Sequence, residues 1–159
     1  GTGRVAGIIG DLAEGHAPAL RSATMADADL LLLWRNDQET RRQSKTTTPV
    51  ERAGHLSWLD GVLADPNRDI RVAEVNGRPV GSIRADRSGD AWVLSWMVAQ
   101  EARGKGFGRR IVARIVEDLD GEIQAEVRVG NPASARIASA VGMTLCDETD
   151  GVTTGVMRQ

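Results

Sequence analysis

Between Ala91 and Leu119 the sequence passes from AWVLSWMV through AQEARGKGFG to RRIVARIVEDL, and this passage restricts the fold more than any other. Val93, Leu94, Trp96, Met97 and Val98 make an almost unbroken apolar run, short for a helix and rich in residues that suit a buried strand. Further on, Ile111, Val112, Ile115, Val116 and Leu119 recur at the spacing that paints one helical face, with Arg109, Arg110, Arg114, Glu117 and Asp118 on the other. Gly104, Gly106 and Gly108 stand between the two. A strand that turns directly into a helix leaves unpaired N–H groups and the positive end of the helix dipole aimed at one place. Such a place binds phosphate, and glycines let the backbone approach it. Arg103, Lys105 and Arg109 add positive charge around it. The plainer alternative is a glycine-rich turn that only caps an amphipathic helix.

Two common phosphate loops fit this stretch badly. A P-loop ends in Gly-Lys-Ser/Thr, whereas Lys105 is followed by Gly106 and the metal-binding hydroxyl is missing. A dinucleotide fingerprint wants a glycine where Arg109 stands and belongs in the first strand-helix unit of a domain.

Arg103-Gly-Lys-Gly106-Phe107-Gly108 resembles the Arg/Gln-x-x-Gly-x-Gly/Ala pattern of the GNAT acyl-CoA-dependent N-acetyltransferases, with Val98 where their splayed central strand ends. Downstream, Val129-Gly-Asn131-Pro-Ala-Ser134-Ala-Arg-Ile-Ala138-Ser-Ala-Val-Gly142-Met143 is similar to their second motif, a strand ending in Asn followed by a helix that stops at Gly. The resemblance covers approximately Leu20 to Met157. It implies an α/β (α+β by some schemes) GNAT fold: a mixed twisted sheet of six to seven strands, splayed after the fourth, with helices on both faces.

The rest of the chain is consistent with one soluble domain. A length of 159 residues, 41% hydrophobic and 26% charged, bounds it to a single core. A net charge of −2 gives no general attraction to nucleic acid or anionic membrane, and no apolar run approaches a membrane span. A single cysteine, Cys146, excludes an internal disulfide and suits a reducing cytoplasm, and Asp147 and Glu148 beside it argue against a nucleophile. Two histidines and one cysteine, scattered, suggest no metal site. Residues 1–18 are glycine-broken and read as an appendage, or as a linker to a fused partner domain before Gly1, with the GNAT domain over 19–159.

In order, the patterns predict a strand over Ala19–Thr24 and a helix from Asp27 through Ala28, Leu31, Leu32 and Trp34. A polar loop over Glu39–Thr48 and a second helix over Val50–Leu63 come next. A hairpin follows through Asn76-Gly77, joining Arg71–Val75 to Val80–Ala85. After the central strand and its helix come a strand over Ile123–Val129, a helix capped by Asn131 with Pro132 in its first turn, and a last hairpin through Asp150-Gly151.

The resemblance also implies roles. Backbone groups of Trp96, Met97 and Val98 would pair with the pantetheine arm of acetyl-CoA, the cosubstrate. The amides from Arg103 through Gly104, Lys105, Gly106, Phe107 and Gly108 to Arg109 would hold its pyrophosphate. Asn131 would bond the pantetheine, or cap its helix alone, and Ser134 would lie near the thiol. A backbone N–H near Val98 would be the oxyanion donor. Where relatives often carry a tyrosine acid this chain has Ala138, and it contains no tyrosine, so Ser134 or water would protonate the leaving thiolate. His55 has the intrinsic pKa of a base, though a lone helical histidine is commonly structural. Asp86 and Glu101 flank the cleft without visible perturbation.

For the acceptor, Leu33-Trp34-Arg35-Asn36-Asp37-x-Glu39, His55-x-x-Trp58 and Gly81-Ser82-Ile83-Arg84 resemble the enzymes that acetylate the 4-amino group of nucleotide-linked sugars in pseudaminic acid biosynthesis. Arg35, Arg41, Arg42 and Lys45 would then meet the diphosphate, Trp34 or Trp58 would stack on uracil or sugar, and Asn36, His55 and Arg84 would complete the wall. Both tryptophans also fit as plain core. An acetylase of protein N-terminal amines is the alternative enzyme, and a non-catalytic CoA-binding module the alternative of another class.

Overall fold

A computed structural model describes residues 17–44, 48–146 and 148–159. The expectations for residues 1–16 and for Lys45 lie outside them. Seven strands form one sheet: β1 (Ala19–Ser22), β2 (Arg68–Val75), β3 (Arg78–Ser88), β4 (Ala91–Val98), β5 (Glu122–Arg128), β6 (Thr144–Leu145) and β7 (Val152–Arg158), in the order β1-β2-β3-β4-β5-β7-β6. Among the described residues only β4 and β5 pair in parallel; the other neighbours are antiparallel. Helices α1 (Ala28–Arg35), α2 (Gln38–Arg42) and α3 (Arg52–Ala64) precede β2, α4 (Phe107–Val116) joins β4 to β5, and α5 (Pro132–Ala140) follows β5. This is the expected mixed sheet with helices on both faces.

Local chemistry explains the joints. Asn76 and Gly77 have φ of 50° and 81°, both central residues of the turn left-handed, which matches the twist of the β2–β3 hairpin. Asp150 and Gly151, at 52° and 76°, do the same between β6 and β7. In α4, Phe107, Ile111, Val112 and Ile115 are at most 1% exposed, and each such side chain contributes roughly 1.5–3 kcal/mol of burial. One departure lies between the first two long helices. The expected polar loop contains α2, because the Asp37 carboxylate accepts from the amides of Glu39 and Thr40 and starts a short helix that buries no residue.

The splay starts earlier than the motif suggested. β4 and β5 are in register from Ala91↔Glu122 only to Leu94↔Ala125. Beyond that point β4 runs on beside β3 to Val98, while β5 runs on beside β7 to Arg128. The parting therefore follows Leu94, four residues before the strand ends.

Candidate active site

Peptide groups in the gap can be assigned from their neighbours. The Ala99 N–H donates to the Val80 carbonyl at 2.9 Å, and the Met97 carbonyl faces Gly81 so closely that a Cβ there would lie 2.5 Å from it. Alternation along a strand then turns the peptide groups of Met97 toward β3, and those of Trp96 and Val98 toward the space that β5 has left. The sequence had grouped all three as backbone partners. Met97 is corrected: it contributes only its side chain to the cleft.

The gap opens into a cleft of about 1250 Å³ that passes through the sheet. On the α4–α5 side it is lined by Trp96, Val98, Gly104, Gly106, Phe107, Gly108, Arg109, Asn131, Ser134 and Ile137. Gly104 and Gly106 hold φ of 77° and 82°, the left-handed region that glycine enters without strain. Gly106 is the N-cap of α4 and, having no side chain, leaves the first amides of the helix uncapped. Across from them the Asn131 Oδ1 accepts from the Ser134 amide at 3.2 Å, so Asn131 does cap α5. Its Nδ2 donates to the Ser134 Oγ at 3.1 Å, which leaves the hydroxyl proton of Ser134 to be directed elsewhere. Ala138, at the position of the missing tyrosine, is 0% exposed.

The basic residues of the turn divide. Arg109 lines the cleft. Lys105 does not; its carbonyl accepts from Arg110 Nη1 at 3.3 Å. Arg103 lines the cleft, but its guanidinium is committed, with Nε donating to the Val98 carbonyl at 3.2 Å and Nη2 to Asp37 Oδ2 at 2.7 Å. Burial pulls the Asp37 carboxyl upward, yet the bonds from Arg103 and from the Thr40 and Glu39 amides outweigh it and hold the group below the usual carboxylate range.

On the other side, α1, α2 and α3 wall the cleft over a polar stretch of sheet. Ser82, Arg84 and Asp86 alternate along β3, and Ser95 stands opposite Arg84 on β4, so all four project to one face. Asp86 accepts from Arg68 Nε at 3.0 Å and from Arg84 Nε at 2.9 Å. Trp58, 37% exposed, has the Arg84 guanidinium 5.2 Å from its ring and His55 stacked at 5.6 Å. His55 is 4% exposed and its Nε2 lies 3.0 Å from the Ala28 carbonyl. A carbonyl only accepts, so Nε2 carries the proton and Nδ1 is the remaining acceptor. Burial pushes the His55 pKa down, against smaller upward pulls from Ala28 and Asp29. Arg35 lines this half as well, with its pKa lowered by burial and by the nearby charge of Arg41.

Four expected acceptor residues lie away from the cleft lining. Trp34, 5% exposed, packs in the core, which is its plainer reading. Asn36 joins α1 to the approach to α3 by donating to the Val50 carbonyl at 2.9 Å and accepting its amide at 2.7 Å. Arg41 lies near enough to Arg35 for its charge to lower that residue's pKa, and Arg42 pairs with Glu39 at 3.1 Å. Glu101 is exposed and outside the lining. Glu39, Thr40, Ser82, Ser95 and Arg128 line the cleft without having been singled out as binding residues. For the serines the signal was present: Ser82 starts a polar alternation with Arg84 and Asp86, and Ser95 is a lone hydroxyl within the apolar run Val93–Val98.

Among the described residues no group of three or more potential ligands is arranged to hold a metal ion, and no helix is long and apolar enough to cross a membrane.

The chain belongs to the GNAT acetyltransferase family: the model of the acetyltransferase (GNAT) domain matches residues 19–144. Its fold is similar to that of ribosomal-protein-alanine N-acetyltransferase from Brucella melitensis, at 26% identity and a TM-score of 0.76 over 89% of this chain and 99% of that one. Spermidine N-acetyltransferase from Vibrio cholerae, in complex with CoA and spermine, has 18% identity and a TM-score of 0.77 over 90% and 96% of the two chains. An aminoglycoside acetyltransferase in complex with coenzyme A and kanamycin has 20% identity and a TM-score of 0.76 over 90% and 95%. The likeness to these last two is one of fold. No curated protein sequence matches the chain.

Proposed function

We propose that this acetyltransferase moves an acetyl group from acetyl-CoA to the amine of a nucleotide-linked amino sugar, by direct attack with both substrates bound. Acetyl-CoA supplies an activated acyl thioester. The residues present fit its carrier: uncapped amides at the start of α4 suit a pyrophosphate, and the open peptide groups of Trp96 with the N–H of Val98 suit a pantetheine amide chain. The Val98 N–H, which strand alternation turns toward the gap, would donate to the thioester oxygen, and the Ser134 hydroxyl, whose proton Asn131 leaves uncommitted, would protonate the departing thiolate. His55 Nδ1 is the acceptor, through water, for the ammonium proton.

The observation that carries the acceptor class is the polar floor of Ser82, Arg84, Asp86 and Ser95 beside the half-exposed Trp58. A hydroxyl-rich ring matches such a floor, with Trp58 as a stacking face and Arg84 and Arg35 toward an anionic group. A polyamine is a poorer match, because Asp86 is already paired with two arginines. The likeness to the Brucella ribosomal-protein enzyme favours a second reading, a peptide N-terminal amine. Thiol release from acetyl-CoA, compared among a UDP-linked 4-amino sugar, an alanine-terminated peptide, spermine and no acceptor, tests both. Fastest release with the sugar is expected. Fastest release with the peptide overturns the sugar in favour of the second reading, and cofactor binding with no release on any amine indicates a non-catalytic CoA-binding module.

A further inference from the structure

Once β4 and β5 part after Leu94 and Ala125, no ladder between them sets the width of the gap. Two arginines, one in the turn after β4 and one at the end of β5, reach the same short helix. Arg103, five residues beyond the end of β4, bonds the Asp37 carboxylate at 2.7 Å and the Thr40 hydroxyl at 3.3 Å, at the start of α2. Arg128, the last residue of β5, donates through Nη1 to the carbonyls of Ser44 at 2.9 Å and Arg42 at 3.3 Å, at its end. α2 therefore lies across the open ends of the two strands, tied to both. Five residues long and burying none of them, it has little packing of its own to hold it.

We propose that Arg103 and Arg128 are positioning residues that use α2 as a crossbar over the splay, fixing the gap in which acyl carrier and acceptor amine meet. This rests on the donor and acceptor halves assigned above. The same Arg103 guanidinium holds the Val98 carbonyl at 3.2 Å, so the peptide edge facing the carrier and the helix facing the acceptor share one tether. Glu39, Thr40 and Ser44 line the cleft, so a shift of α2 moves the acceptor wall directly. A misplacement of about 1 Å costs on the order of 100-fold in rate when two reactants must be aligned.

The test uses the whole protein with Arg103→Met, Arg128→Met, both together, and Asp37→Asn, which keeps a good helix cap while removing the charge that Arg103 meets. In the free protein, hydrogen exchange of the amides of residues 40–44 is expected to quicken at least about tenfold in the double variant. In wild type, acetyl-CoA is expected to slow exchange both in residues 103–109 and in α2; in the double variant it slows only residues 103–109. With the UDP-linked 4-amino sugar, kcat falls about 10- to 100-fold in each arginine variant. In Arg128→Met, which leaves the donor turn untouched, the acetyl-CoA Kd moves less than about threefold, and Asp37→Asn reproduces part of the fall in kcat. Unchanged exchange in α2 of the free double variant overturns the crossbar, whatever the activity. Acetyl-CoA that protects neither segment in wild type refutes the donor assignment instead, and the free-protein exchange still decides the crossbar.

Discussion

Gly108 and Ile137 meet where a side chain on the first would collide with the second: a Cβ on Gly108 would lie 2.7 Å from Cδ1 of Ile137 and 3.5 Å from Cγ2 of Val98. The glycine brings α4 against α5 and both against the end of β4. Ile137 also lines the cleft, and its terminal methyl is the atom that must yield. We expect Gly108→Ala to change stability by no more than about 1 kcal/mol, since the gain of alanine over glycine in a helix offsets part of the crowding. Acetyl-CoA affinity should fall about tenfold as Ile137 is pushed into the gap. Denaturant titration and calorimetry on the same preparation separate the two effects.

Gly106 makes a different demand. Its φ of 82° costs a side-chain-bearing residue about 1–2 kcal/mol, while the nearest obstacle is the movable end of Arg110, 2.7 Å from a Cβ. Gly106→Ala should therefore lose about that much stability and keep measurable acetyl-CoA binding. Gly106→Glu carries the same backbone cost and sets a negative charge against the uncapped amides. Calorimetry should detect no binding to it, and wild-type affinity would remove the pyrophosphate assignment.

Trp58 presents its ring to the acceptor half while Arg84 lies 5.2 Å from it. Trp58→Ala should raise the acceptor KM at least about tenfold and leave the acetyl-CoA Kd unchanged, because the ring is on the opposite side of the sheet from α4. Equal loss of both affinities would mean that the ring supports the fold, not the acceptor.

What could be read before the structure, and what could not, follows from how the information is written. The turn at Asn76-Gly77 and the helix of Ile111, Val112, Ile115 and Val116 are local instructions, confined to a few residues, and both were legible. The crossbar was not. α2 has no apolar face, its cap is one aspartate among many polar residues, and its tethers come from 66 and 84 residues away. The start of the splay was missed for a related reason. β4 stays apolar through Val98 because β3 and the helices still cover it, so composition does not change where its partner leaves. Trp34 and Trp58 show the limit most plainly: both sit on helices with basic residues near, yet one is sealed in the core and the other faces the cleft.

Asp27 ties stability to pH on the acid side. Arg21 grips both of its carboxylate oxygens at 2.8 Å, the Thr24 amide adds a third bond at 2.8 Å, and together they hold the group below the usual carboxylate range against an upward pull from burial. A depressed folded pKa stabilises the native state at pH values above the unfolded one, near 3.9, and that contribution is lost as pH falls through the folded pKa. Asp27→Asn should lower stability by about 1–2 kcal/mol at neutral pH and flatten the stability profile below about pH 4. An unchanged acid limb would show that other carboxylates dominate.

His55 offers two readings that one substitution can part. Its folded pKa is lowered by burial, so the folded state binds the proton less well than the unfolded chain does. The sign is then fixed: this contribution is fully present above about pH 6.5 and is lost as pH falls through the folded value. His55→Gln keeps an N–H donor for the Ala28 carbonyl, removes the titrating ring, and should abolish that part of the acid-side decline in stability. If Nδ1 also takes the ammonium proton, kcat at neutral pH should drop about 100-fold and the acidic limb of kcat/KM should lose the ionisation that His55 supplied. If His55 only joins α3 to the start of α1, the stability profile changes while the pH–rate profile of the glutamine variant overlays that of wild type. A neutral imidazole at pH 7, on a residue that lines the cleft and with Nε2 engaged by Ala28, leads us to expect the first result.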